Sequence, residues 1–315
     1  MAARRLLLLD TASLYFRAYF GVPKTITTEA GQPVNAVRGL LDFIAKFVRE
    51  TGATDVVCCW DNDWRPAWRV SLVPSYKTHR VAGPAALIRG VELPVGAGGR
   101  GAQSGVAEIA DRELSDQVPW IAEVLDAAGI AMVGADGYEA DDVIGTLAAT
   151  AGCPVDVVTS DRDLFQVVTD DVRVVYVARG ISKFEYVDDA WLLSHYGIRG
   201  SQYVDFSVLR GDASDGLPGV AGIGEKTAAG LLAAHGDLEG IMAAPLAGAV
   251  AARLAAAVDY LGPARQVVAV RTDLPLAADD YTFPAAPADP ERFAELAVLL
   301  NLGSPAERLL AAMRG

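Results

Sequence analysis

The chain has 315 residues, 52% of them hydrophobic and 21% charged, and a formal net charge of −13. That length buries a full core in one large or two modest domains, and the composition excludes a stapled miniprotein and a wholly disordered chain. Three cysteines, Cys58, Cys59 and Cys153, make no disulfide framework, so free thiols in a reducing cytoplasm are expected.

The opening MAARRLLLLD reads as a buried strand ended by Asp10, not as a signal peptide, and no apolar run reaches the roughly 18 residues that would suggest a membrane helix. Further strands are predicted at Asp55 to Trp60, Ile130 to Val133, Val155 to Thr159 and Val172 to Val177. Between them Leu40, Leu41, Ile44, Phe47 and Val48, then Ile121, Val124, Leu125 and Ala128, recur at helical spacing. Strand–helix–strand repetition predicts an α/β core over residues 1–180, a mainly parallel sheet with helices on its faces. Gly52, Gly129 and Gly152 stand where left-handed helix caps are expected. The connection from about Trp64 to Asp111 breaks this rhythm, and its PVGAGGRGAQSG has the composition of a flexible segment. After Gly180, runs such as DDAWLLSHYG, GEKTAAGLLAAHG and ERFAELAVLL predict a helical subdomain over 181–315.

Ligands of open parallel sheets bind beyond the carboxyl ends of the strands. Here LLLLD places Asp10 at that edge, VVCCWD places Asp61, and VVTSDRD places Asp161 and Asp163; EADD adds Glu139, Asp141 and Asp142 where a helix begins. Any one of these is explained as a helix cap, but together they repel, by roughly 4 kcal/mol for a pair 4 Å apart, and demand a cation. Ligands that are all oxygen select magnesium or manganese. With Asp212 and Asp215 of GDASDG, the carboxylates suffice for two or more ions, the arrangement that displaces a leaving oxygen from phosphate.

The charge balance reverses after Asp61: Arg65, Arg69, Lys77, Arg80 and Arg89 are interleaved with Trp64, Trp68 and Tyr76, a pattern that suits phosphates and unpaired bases. GLPGVAGIGEKTA is neither a Walker loop nor the dinucleotide fingerprint. Its Gly219, Gly222 and Gly224 predict tight turns into a helix begun by Glu225, Lys226 and Thr227, a phosphate clamp of backbone N–H groups.

Five motifs in this order resemble the 5′ nuclease domain of bacterial DNA polymerase I and the stand-alone bacterial flap endonucleases: DTASLYFRAYF, SYKTHR, EADDVIGTLA, VVTSDRDLFQVV and GDASDGLPGVAGIGEKTA. The resemblance covers nearly the whole chain and implies a structure-specific 5′ nuclease that acts on 5′ flaps, nicks and 5′ ends in replication and repair. It implies a helical arch within about 64–118 and a helix–three-turn–helix DNA clamp at about 205–236. Asp10, Asp61, Glu139 and Asp141, with Asp142 near them, would hold one metal, and Asp161, Asp163, Asp212 and Asp215 a second. Lys77 and Arg80 would polarise the scissile phosphate, Tyr76 would stack on a base, and Arg17 would contact phosphate; Arg65, Arg69, Gly219, Gly222, Gly224, Lys226 and Thr227 complete the expected DNA contacts. A potassium ion at the clamp is a further expectation. So are a monomeric state, a cytoplasmic location at the nucleoid, and work beside a polymerase and a ligase. Thr11 stands where the family usually has Gly, and Gly216 where it usually has Asn. The competing reading is a non-catalytic protein that binds DNA junctions.

Overall fold

The structure is a computed structural model, and it describes residues 3–81, 112–277 and 279–315. Six strands form one sheet in the order β3-β2-β1-β4-β5-β6: β1 (Leu6–Asp10), β2 (Asp55–Trp60), β3 (Ala131–Gly134), β4 (Val155–Thr159), β5 (Val172–Tyr176) and β6 (Glu185–Val187). The first five pair in parallel, and β6 runs antiparallel to β5. Alternate residues serve opposite faces, as the pleat requires. Leu6, Leu8, Val57 and Cys59 enter one apolar core and Leu7, Leu9, Val56 and Cys58 the other. Burial on both faces explains why these strands read as unbroken apolar runs.

Three predicted strands match within a residue at each end, and β2 and β4 match throughout. The glycine caps also hold, with φ of 66° at Gly52, 75° at Gly129 and 62° at Gly152. The division at residue 180 is not where the sheet ends, because β6 follows it. Nor do residues 181–315 stay together. Helix Pro290–Leu299 packs on helix Val118–Ala128, and helix Ser304–Met313 on helix Asn35–Thr51 of the first half. The segment between is the helical unit proper: helix Tyr203–Arg210 packs against helices Glu225–His235 and Val258–Val268. Among the described residues no helix is long and apolar enough to cross a membrane.

The strand order reverses direction between β1 and β4, which fixes the place of the crevice at their carboxyl ends. Asp10 closes β1 and Thr159 closes β4 at that point.

Candidate active site

The ends of β1 and β4 are laced together by side chains. Asp10 caps helix Thr11–Gly21 by accepting from the Ser13 amide (3.1 Å), while its other oxygen accepts from Thr159 Oγ1 (2.6 Å). Thr159 Oγ1 accepts from the Asp161 amide (2.8 Å), and Asp161 accepts from the Asp163 amide (2.9 Å). Asp61, just past β2, accepts from the amide of Ala140 (2.7 Å), which opens helix Ala140–Thr150. Glu139 and Asp142 form a capping box at the start of that helix.

These carboxylates share one field. Burial pushes the Asp10 carboxyl up to about 7; Asp61 and Asp161 add to the rise, and the hydrogen bonds from Thr159 and Ser13 oppose it. Burial, then Asp161 and Asp10, holds Asp141 well above the usual carboxylate range, and burial with Asp161, Asp215 and Asp212 does the same to Asp163. Asp61 and Asp215 are raised too, chiefly by burial. Asp163 Oδ1 is buried without a hydrogen-bond partner. A buried acceptor with nothing to accept is costly, and an all-oxygen set of strained anions fits a hard divalent cation. Among the described residues, no three such side chains converge in a ligating arrangement as they stand.

Cations lie against the same carboxylates. Lys77 is only 8% exposed, and its Nζ donates to Glu139 Oε2 and to the Trp64 carbonyl (3.4 Å). Arg80 donates to Asp215 (3.2 Å) and to the Ser214 carbonyl (3.2 Å). Burial alone would raise Glu139, but Lys77 and Arg69 outweigh it and hold the carboxyl below its ordinary value. Lys77 has φ 48°, left-handed for a residue with a Cβ, which costs of order 1–3 kcal/mol and persists only where surroundings enforce it. Its amide donates to the Asp215 carbonyl (3.0 Å), so the turn bearing the lysine is pinned to the turn bearing Asp212 and Asp215.

The Gly216–Ala228 stretch begins at this junction. Gly211, Gly216, Gly219 and Gly222 all have positive φ, and Gly211 and Gly219 pack so closely that a Cβ on Gly219 would lie 2.6 Å from the Gly211 amide nitrogen. Helix Glu225–His235 follows, its first internal bond running from the Ala228 amide to the Gly224 carbonyl (2.9 Å). Gly224, Glu225, Lys226 and Thr227 are exposed, so the N–H groups of its first turn face outward.

The sequence family described as "5'-3' exonuclease, N-terminal resolvase-like domain" matches residues 5–197, and that described as "5'-3' exonuclease, C-terminal SAM fold" matches residues 198–291. The chain belongs to the 5′-3′ exonuclease family. A Streptomyces coelicolor protein named 5'-3' exonuclease is 50% identical over 315 residues, covering 98% of this chain and 99% of its own length. DNA polymerase I of Mycobacterium bovis is 36% identical over 241 residues, covering 75% of this chain and 24% of the polymerase. The T5 D15 protein, co-crystallised with metal ions, shares the fold with a TM-score of 0.65 at 17% identity, over 98% of this chain and all of that one.

Within this exonuclease fold several residues expected at the DNA or the metals are engaged with the protein itself. Arg69, expected on DNA, is 2% exposed; it forms a bidentate pair with Asp142 (2.8 and 2.7 Å), reaches Glu139 (3.2 Å) and donates to the Val267 carbonyl (3.0 Å). Asp142, expected near a metal, gives both oxygens to that arginine and also accepts from the Glu139 and Arg271 amides. This pair ties helix Ala67–Leu72 to the site and is structural. Tyr76, expected to stack on a base, is buried, and its hydroxyl donates to Glu139 (2.7 Å). Arg65 donates to the Tyr76 carbonyl (2.7 Å) and braces the turn that carries Lys77. Arg17 is half-buried, donates to the Ala178 carbonyl (3.1 Å) and keeps its Nε buried without a hydrogen bond. The Gly219 amide donates inward to Tyr260 (3.1 Å) instead of facing solvent. Arg89 and the Pro94–Gly105 stretch lie outside the described residues.

One residue beside the glycine turns carries no sequence signal. Arg253, on helix Gly248–Ala256, donates to the Gly222 carbonyl (2.9 Å) and is exposed beside the turn. Nothing local in RLAAA marks it, because its partner lies 31 residues earlier.

Proposed function

We propose that the protein is a structure-specific 5′ nuclease, cutting DNA at 5′ flaps and removing nucleotides from 5′ ends with the help of two or more magnesium or manganese ions. The observation that carries this reading is the set of carboxylates strained by burial and mutual repulsion, with Lys77 and Arg80 beside them on Glu139 and Asp215. Asp10, Asp61, Glu139, Asp141, Asp161, Asp163, Asp212 and Asp215 would hold the ions. Bound there, such ions supply a water of lowered pKa and neutralise charge on the phosphate. Lys77 and Arg80 stand where an incoming phosphate can replace their carboxylate partners, and the Glu139–Arg69–Asp142 network fixes the helix start behind them. Behind the site, the exposed N–H groups at Gly224–Thr227, with Lys226 and Arg253, would grip duplex phosphates. Arg253 already places a positive charge on the Gly222 carbonyl, so a potassium ion at that atom would have to displace it.

A labelled 5′-flap duplex with magnesium tests the reading. Cleavage leaving a 5′-phosphate is expected, and Asp163→Asn should abolish it while the protein still binds the flap in calcium. No cleavage by the parent, or turnover by the asparagine variant within about tenfold of the parent, contradicts it.

A further inference from the structure

Gly216 has φ 72° and sits against the turn that carries Lys77. A Cβ built on Gly216 would be driven into the Ser75 carbonyl oxygen, 3.0 Å from the Ser75 carbonyl carbon and 3.5 Å from the Lys77 nitrogen. The two turns thus meet backbone to backbone. Bonds that cross the seam beside the glycine include Lys77 amide to Asp215 carbonyl (3.0 Å), Arg80 to Ser214 carbonyl (3.2 Å) and Arg80 to the Asp215 carboxylate (3.2 Å). One turn brings two cations and the other two carboxylates. In this chain, at a position where the family usually has Asn, the two backbones come closer than a Cβ allows.

We infer that Gly216 is a positioning residue for the reaction: its missing side chain lets the 75–80 turn and the 212–216 turn interlock, which holds Lys77 and Arg80 in register with Asp212 and Asp215. The inference rests on the nuclease reading for its effect on rate, but the interlock itself is a property of the metal-free protein. Relieving the clash in a substituted protein needs a shift of roughly 1 Å, a misplacement that can cost about 100-fold in rate. Substrate grip, built elsewhere at Gly224–Thr227, should be spared.

Two substitutions separate the possible reasons for a glycine. Asparagine tolerates a left-handed φ far better than alanine does, yet both bring the same Cβ. If contact with Ser75 is the cause, Gly216→Ala and Gly216→Asn should both lose about 10- to 100-fold in kcat with KM and flap affinity in calcium within about twofold. Gly230→Ala, where a Cβ meets open space, should match the parent. Hydrogen exchange gives a readout independent of turnover. In the parent without metal, the 75–81 peptide should be protected through the Lys77 amide, and both Gly216 variants should lose that protection. If either variant fails to fold, the parent's exchange still decides. Parental turnover in Gly216→Asn would show that the glycine serves φ alone. A 75–81 peptide in the parent exchanging like an open loop would show that no interlock exists. Either result overturns the inference, whereas failure of all cleavage with the exchange pattern intact would count against the nuclease reading alone.

Discussion

The two regions proposed to hold phosphate differ in how their donors are engaged. At the carboxyl ends of the strands the cations are spent on carboxylates, Lys77 on Glu139 and Arg69 on Asp142 in buried pairs and the half-buried Arg80 on Asp215. At the start of helix Glu225–His235 the residues Gly224–Thr227 are exposed, most of their donors are uncharged, and Arg253 and Lys226 stand in solvent. The first region is a balanced salt network that has to exchange partners before it acts; the second needs no rearrangement. That difference explains how a chain of net charge −13 takes up DNA. On the proposed reading its acid is concentrated where metal ions and internal cations would answer it, and the surface offered to duplex relies on backbone dipoles, which net charge does not reveal.

The sharpest break in the comparison comes from the buried side. Arg69→Ala strips Asp142 of its bidentate partner and leaves it buried, so unfolding free energy should drop by about 3–5 kcal/mol. Chemical denaturation measures this, and an unchanged midpoint with weakened DNA binding would return Arg69 to the DNA surface.

A second test uses pH. With a folded-state pKa of about 7 against about 3.9 when unfolded, Asp10 makes the metal-free native chain hold more protons between those values. Stability therefore falls as pH rises through that window, and the raised Asp141 and Asp163 act in the same direction. Glu139, lowered, has the opposite sign, but its stabilisation is lost only as pH falls below the ordinary glutamate range. In EDTA the melting temperature should decline from about pH 5 to about pH 8, and magnesium should recover it at the upper end. A rise over that range without metal contradicts the strained-carboxylate account.

The clamp breaks more gently. At Gly222, φ is 73° and a Cβ would lie 2.8 Å from the Arg253 guanidinium carbon, so Gly222→Val should strain the turn and push Arg253 off its carbonyl. Duplex affinity should weaken by about tenfold, the size of one charged hydrogen bond, with the melting temperature little changed. Unchanged affinity in a folded variant would make the stretch a structural hairpin.

Much of this was legible in the chain because its signals are local. An apolar run ending in Asp marks both a strand and the position of its carboxylate, as at Asp10 after LLLL and Asp61 after VVCCW. Glycines before strands gave the caps in the same way. What failed to read is non-local. Interleaved cations and aromatics look alike whether they face solvent or a carboxylate; the Arg69–Asp142 pair spans 73 positions, and with Tyr76 it turned inward because Glu139 and Asp142 at a buried helix start needed partners. Strand β6 has three residues and pairs antiparallel, too short for periodicity to register. The return of residues 290–313 to the core depends on which apolar helix faces remain uncovered, and that is a tertiary fact.

The central claim is that active-site cations are internally neutralised while clamp cations are free for DNA. Affinity for a long 5′-flap duplex, measured in EDTA across a series of salt concentrations, tests it most directly. Arg253→Gln should flatten the slope of log affinity against log salt by roughly 0.9, the loss of one phosphate contact, while Lys77→Ala leaves the slope unchanged. The reverse pattern, a flattened slope for Lys77→Ala and none for Arg253→Gln, would contradict the account.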